Sequence, residues 1–467
     1  METNAEVYLQ QLLAGLSDPI GLMLAVCMLG VCTLVIATDR ARWYTMCLAI
    51  FTISCVPPFN KWIVNVRFFF PVEFLRNWSR PLAVGLLMIL ATGAFRFDRR
   101  IRQRLTSASL WWFVAYQVIS AMRLMTTSVL FSRGMFALVL VGIFVVVCVL
   151  SLAPTLQSLN DVNRALWACA FAAIFAMTAT LIQWRISPSS VQFGGRLYGT
   201  TATPQGIGML LGLTLPSMCF LLVHRRLRGW LNPTVLLLAA FIPVSVMMII
   251  WTGARGCALT GLIGVVGFFH RRMGRFMIAG AICVIIGLAL KPYLDDAFQI
   301  SSRLFNTENT RAQVWAQMLT SIGKNPWFGE LRDSADFYTG SIVGEGGFLM
   351  SLSTYGILGT IPLAASMICL FLELQTMWRH RAVAPELADL VDLLIGFWLA
   401  AGVMTVFESF ILSYLTFSQM LIYVMFIVHG FAVDYYRQAE IAARGFPVVM
   451  PADESMPYYA DAYNPVT

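Results

Sequence analysis

The sequence predicts an all-α fold: a polytopic transmembrane helix bundle of about 12–14 spans with one large loop on the outward face. Three observations predict it. Of 467 residues, 58% are hydrophobic and only 12% charged, about half the roughly 25% charged share of a soluble domain. The apolar residues fall in long runs, and about 20 apolar helical residues cross about 30 Å of hydrocarbon. The period-two alternation of barrel strands is absent, so backbone amides in lipid must be satisfied within helices.

Taken in order, spans are expected at 20–38, 43–59, 81–97, 108–129, 134–154, 165–182, 203–223, 233–252, 255–270, 275–291, 347–374, 391–412 and 414–433. The segment 62–76 reads as a short re-entrant piece or an interfacial helix. Residues 1–291 then carry the first ten membrane helices. Residues 292–346 form a large outward loop with an amphipathic helix, 347–433 the last three helices, and 434–467 a short cytoplasmic tail with four prolines.

Lys and Arg in short loops set the orientation. Five Arg lie in loop 96–107, three in 224–230 and three in 270–275, with Arg40, Arg42, Arg379 and Arg381 in two more. Thirteen spans put all of these on the cytoplasmic side, with the N-terminus outside. The net charge of +8 therefore reports topology and membrane lipids as partners, not nucleic acid. Residues 1–19 hold no Lys or Arg, so the positive region of a cleavable signal peptide is missing. The ten cysteines lie in or beside apolar runs without a CxxC pair, which reads as small packing residues rather than disulfides or zinc ligands.

The outward face holds the long connections, and four features there stand out. Arg196 lies in GGRLYGTTATPQGIG, where glycines free the backbone and Pro204 can open the next helix. It can grip a phosphate bidentately or snorkel to head groups. Arg255 lies in the short turn WTGARGCALTG. A Gly-rich turn entering a helix N-terminus suits an anion, and a membrane anchor is the plainer alternative. Residues 310–323 read as an amphipathic helix with Val314, Trp315, Met318, Leu319 and Ile322 on one face. Gly323 and Pro326 stop it. Arg311 on that face needs a partner such as a ligand phosphate, unless the helix simply lies on the membrane with Arg311 at its rim. Arg303 precedes it in the same loop. Glu345, among Gly344, Gly346 and Gly347, can serve as a general base on a sugar hydroxyl or as a structural partner for an arginine.

Two further acids in apolar surroundings, Glu408 and Glu73, are candidates for substrate contact or for pairing with an Arg. The four histidines, His224, His270, His380 and His429, all fall toward the cytoplasmic side, so acid–base chemistry on the outward face rests on a carboxylate. No Walker loop, HExxH motif or paired metal-ligand cluster is present in the sequence. Neither a cofactor nor a metal is expected.

These pieces together resemble the O-antigen ligase and polysaccharide polymerase family of bacterial inner-membrane glycosyltransferases. The resemblance rests on R-x-x-G-x-x-x-x-P (Arg196, Gly199, Pro204) and on T-x-x-R-G (Thr252, Arg255, Gly256). It continues in R-x-x-x-W followed by NPWFG (Arg311, Trp315, Asn325 to Gly329) and in a G-I-x-G step (Gly356 to Gly359). It covers about residues 190–375.

The resemblance implies a helical bundle with a large periplasmic loop over a lateral cavity. It also implies transfer of glycans from an undecaprenyl-diphosphate carrier to an acceptor glycan or to lipid A–core, alongside other polysaccharide assembly proteins. On it, Arg196 and Arg255 hold the diphosphate, and Arg311, with Arg303 and Trp315 in the same loop, positions the glycan. Ligases of the family carry a histidine eleven residues before the first glycine of the G-I-x-G step. Here that position is Glu345, which favours a polymerase over a ligase. A transporter or lipid-linked glycan flippase is the rival from another class.

Overall fold

The computed structural model describes residues 19, 22–27, 29–30, 68–70, 72–92, 107–126, 128, 130–193, 195–201, 203–226, 232–272, 312–331, 346–408 and 416–443. They are almost wholly helical. The helices are α1 (Val72–Thr92), α2 (Ala108–Leu124), α3 (Phe131–Val145), α4 (Leu159–Ile186), α5 (Pro204–Arg226) and α6 (Pro233–Trp251). They continue with α7 (Arg255–Phe269), α8 (Ala312–Lys324), α9 (Gly347–Arg379), α10 (Ala388–Phe407) and α11 (Phe417–Ala443). Among the described residues, seven helices are long and apolar enough to cross a membrane: Gly134–Thr155, Leu159–Ile186, Pro204–His224, Pro233–Trp251, Gly347–Arg379, Pro385–Phe407 and Phe417–Ile441. The chain is a helical membrane protein on that ground. The expected spans 43–59 and 275–291, most of 20–38, and residues 292–311, 332–345 and 444–467 lie outside the described residues.

Helix starts follow local chemistry. Ser158 caps α4 in a reciprocal box with Asp161, which satisfies two orphan donors at once. Asn232 caps α6 ahead of Pro233, and Pro204 opens α5, where a missing N–H costs nothing. Ends are less legible. α4 runs over 28 residues, well beyond 165–182. α9 continues to Arg379 and α11 to Ala443, past the boundary read at 433. The first of these helices begins at Val72, so the end of the ambiguous segment 62–76 belongs to α1. α3 passes into a π-helical stretch, Val146–Leu152. Membrane helices lengthen past the apolar run because a polar turn that is tied to neighbours stays helical in water.

α11 is the central helix. Every residue from Met420 to His429 is buried, as expected of a helix apolar all round that is enclosed by protein. α2, α4, α5, α9 and α10 and the π-helical stretch surround it.

Beside it, α7 is wedged between α5 and α10 at backbone distance. A Cβ added at Gly208 would lie 2.8 Å from the Cys257 side chain, and one at Gly212 would lie 3.1 Å from the Cys257 carbonyl oxygen. On the other flank, a Cβ at Gly267 would lie 2.7 Å from the Gly396 Cα. One at Gly264 would lie 2.6 Å from Pro216 of α5 and 3.1 Å from Ala400 of α10. Lipid gives apolar helices no hydrophobic reason to associate, so small residues that admit close packing supply the attraction.

The two ends of this trio differ in charge. Beyond α7, Arg271 lies 3.4 Å from Asp392 and Arg272 lies 2.9 Å from Asp389, both on the first turns of α10. Loop 270–272 and the turn between α9 and α10 therefore share one end, as the arginine count expects.

A Cβ at Gly396 would strike the Gly264 carbonyl oxygen and lie 2.7 Å from the Phe268 amide nitrogen, whereas one at Gly402 of the same helix meets nothing within 4 Å. Gly396→Ala is expected to destabilise the folded chain by about 1–3 kcal/mol. Gly402→Ala should be neutral or stabilising by up to about 1 kcal/mol. Denaturant unfolding in detergent micelles compares the two.

Candidate functional site

Arg196 stands on a miniature hairpin. The strands Gln192–Phe193 and Arg196–Leu197 pair antiparallel, with Phe193 opposite Arg196. Gly195 turns the chain at φ 76° and Gly199 releases it at φ 60°, conformations that a Cβ disfavours. The hairpin is seated by Tyr198 N donating to the Val191 carbonyl at 2.7 Å and Thr200 N donating to Thr180 Oγ1 at 3.2 Å. From there Arg196 is half-buried, and its Nε donates to the carbonyl of Thr252 at 2.8 Å.

Thr252 opens the turn that carries Arg255. Thr252 Oγ1 donates to the Ile249 carbonyl at 2.7 Å and accepts from the Ala254 amide at 3.1 Å. Gly253, at φ 61°, reverses the chain between α6 and α7. Arg255, exposed, is the first residue of α7. Its positive side chain and the dipole of the helix start act in the same direction. The structure therefore brings Arg196 to the Arg255 turn from 56 positions away in the chain.

The same end of α7 meets α10 and α9. A Cβ at Gly256 would lie 2.9 Å from Phe407, the last residue of α10. The next residue, Glu408, leaves the helix extended, and its carbonyl accepts from the Gly347 amide at 3.0 Å. Gly346, at φ 105°, lies against the Val406 carbonyl and the Trp315 indole nitrogen. Arg196, Arg255, Glu408 and Trp315 thus stand at one end of the bundle, opposite the Arg271–Asp392 pair, through a chain of short contacts. Arg303, Arg311 and Glu345 lie outside the described residues.

Trp315 is held there by a lock. α8 ends in the NPWFG turn, and α9 is broken at Gly356, whose φ 69° and ψ −173° are not helical. The turn fits into the break. Ile357 N donates to the Pro326 carbonyl at 2.8 Å, Leu358 N to the Trp327 carbonyl at 3.2 Å, and Glu330 N to the Ser353 carbonyl at 2.8 Å. A Cβ at Gly329 would lie 2.5 Å from the Gly356 nitrogen, and one at Gly356 would strike the Trp327 carbonyl. Both glycines were visible in the sequence, but their pairing was not, because it joins backbones rather than side chains. Of the expected apolar face of α8, Val314, Trp315, Met318 and Ile322 are buried or half-buried, and Leu319 is not. Met318 and Ser321 are buried, the latter on the Glu330 carboxylate, while Leu319 points outward.

Glu73 acts locally, where its carboxylate accepts from the Phe68 amide at 2.9 Å at the start of α1. One half-buried group escaped the sequence reading. Glu373 of α9 accepts from the Ala108 amide at 2.9 Å and Ser109 Oγ at 2.7 Å of α2, and lies 2.9 Å from His429 Nε2 of α11. An acid inside an apolar run was the signal that could have found it. It lies on the side of the helix ends that carry Arg379 and Asp389, away from Arg196.

No family model matches the chain, and no curated protein matches its sequence.

Gly329→Ala is expected to open the lock. Hydrogen exchange followed by mass spectrometry should show faster exchange at Glu330, Ile357 and Leu358. Gly323→Ala, at a position where a Cβ meets nothing within 4 Å, should leave those amides unchanged.

Proposed function

We propose that this chain is a membrane glycosyltransferase that polymerises undecaprenyl-diphosphate-linked O-antigen or exopolysaccharide repeat units on the periplasmic face of the bacterial inner membrane. One observation carries the reading: Arg196 Nε bonds to the Thr252 carbonyl, which joins the two arginine turns into one cationic unit at the start of α7. A diphosphate needs that arrangement. It offers several anionic oxygens, and an Arg presents donors in a planar fork that matches them.

The reaction follows from those charges. A hydroxyl oxygen of the acceptor repeat attacks the anomeric carbon of the donor chain. The bond from that carbon to the diphosphate oxygen breaks, and its electron pair leaves with undecaprenyl diphosphate. Arg196 and Arg255 stabilise the charge that develops there. Glu345 takes the hydroxyl proton, and Glu408 and Trp315, which flank Gly346 and Gly347, contact the glycan together with Arg311 and Arg303.

Arg196→Ala and Arg255→Ala are each expected to abolish polymer while the protein still inserts, and Arg196→Lys is expected to rescue little. Glu345→Gln should fail as well. A gel that separates lipid-linked repeats from polymer reads all four. Normal polymer from both alanine variants would sink the diphosphate clamp. Long chains left on undecaprenyl diphosphate in a deletion strain would instead assign ligation onto lipid A–core.

A second reading is a transporter or lipid-linked glycan flippase; the break in α9 at Gly356 would serve it only near the bilayer midplane, where interrupted helices form transport sites. Under that reading, a chain lacking 312–331 still moves its substrate into vesicles. The transferase requires that segment.

A further inference from the structure

α9 is 33 residues long, about 50 Å, while hydrocarbon needs only about 30 Å. Its surface shows which part faces lipid. From Gly347 to Gly356 no residue is exposed, but from Ile357 onward exposed apolar side chains recur, at Ile357, Leu358, Ile361, Ile368, Phe371 and Leu372. Glu373, the acid on this stretch, is turned inward onto Ser109 and His429. The exposed series ends at Trp378, where the Arg381 guanidinium lies 5.3 Å from the ring centroid. A tryptophan beside a cation is the usual mark of a membrane–water boundary. The 22 residues from Ile357 to Trp378 span about 33 Å, which matches one hydrocarbon thickness. Gly356 therefore lies at the opposite boundary.

The NPWFG turn is bonded to that level through Ile357 and Leu358. Its two aromatic side chains project outward: Trp327 is 58% exposed and Phe328 is 56% exposed. One helix earlier, Leu319 of α8 is 58% exposed, while Thr320 and Lys324 are exposed polar residues on the same helix.

We infer that α8 and its NPWFG turn form a membrane-surface anchor: Trp327 and Phe328 enter the head-group and acyl-chain boundary of the leaflet on the Gly356 side, with Leu319 beside them. The occupant is lipid because this patch is continuous with the lipid-facing stripe of α9, and because Lys324 stands where phosphate head groups would lie. The lock at Gly329 and Gly356 gives the anchor a fixed height, so the membrane surface sets the level at which Trp315 meets Gly346. This inference stands independently of the glycosyl-transfer reading.

The test uses the full chain in phosphatidylcholine vesicles. The emission of Trp327 is the difference between the unsubstituted chain and Trp327→Phe. In vesicles of lipid brominated near the top of the acyl chains, that difference should lose most of its intensity. Iodide on both sides of the membrane should leave it nearly unchanged. Quenching by iodide alone places the turn in water and overturns the anchor. Quenching by neither agent means that protein covers the turn, such as a second copy, and also overturns it. If Trp327→Phe alters the fold, Phe328→Trp replaces it, and the added emission must be quenched by the brominated lipid.

Discussion

The structure depends on the backbone-to-backbone packing of α7 between α5 and α10. Glycines on all three helices, with Cys257, Pro216 and Ala400 between them, leave no room for larger side chains. In lipid this contact must supply by van der Waals attraction what hydrophobic burial supplies in water. It also fixes the axial position of α7, so the Arg255 turn cannot slide relative to the end of α10. The close approach of Gly256 to Phe407 follows from that register, and the Glu408–Gly347 bond carries it on to α9.

Charge is then sorted by end. At one end, Arg271 and Arg272 meet Asp392 and Asp389, which ties the loop after α7 to the start of α10. At the other, the Nε of Arg196 is bound to a backbone carbonyl. A carbonyl acceptor fixes the direction of the guanidinium through its Nε–H. The ion pairs at the first end hold helices together, and the carbonyl bond at the second aligns one arginine turn with another.

Interruption of regular structure has a comparable role. The break at Gly356 exposes backbone groups within a long helix, and the NPWFG turn satisfies them. Irregular backbone in a membrane helix persists only where neighbouring protein completes its hydrogen bonds. A stretch of sequence that reads as loop thereby becomes a rigid extension of α9, and α8 is carried with it.

The helical membrane class, most helix starts and the individual turns at Arg196 and Arg255 were legible in the sequence, because apolar run length, capping residues and glycine placement act locally. The helix ends were not, since α4, α9 and α11 continue past their apolar runs wherever tertiary contacts hold the next turn. Nor was the exposure of Leu319: helical periodicity grouped it with Val314, Trp315, Met318 and Ile322, and these four are buried or half-buried while Leu319 is exposed. The sequence alone determined which residues carry charge and which segments are apolar enough to enter lipid. Only the tertiary structure decided that Arg196 reaches Thr252 and that Gly329 fits against Gly356. Each contact has a backbone group distant along the chain as at least one partner, which no side-chain identity marks: the Thr252 carbonyl in the first, and two glycine backbones in the second.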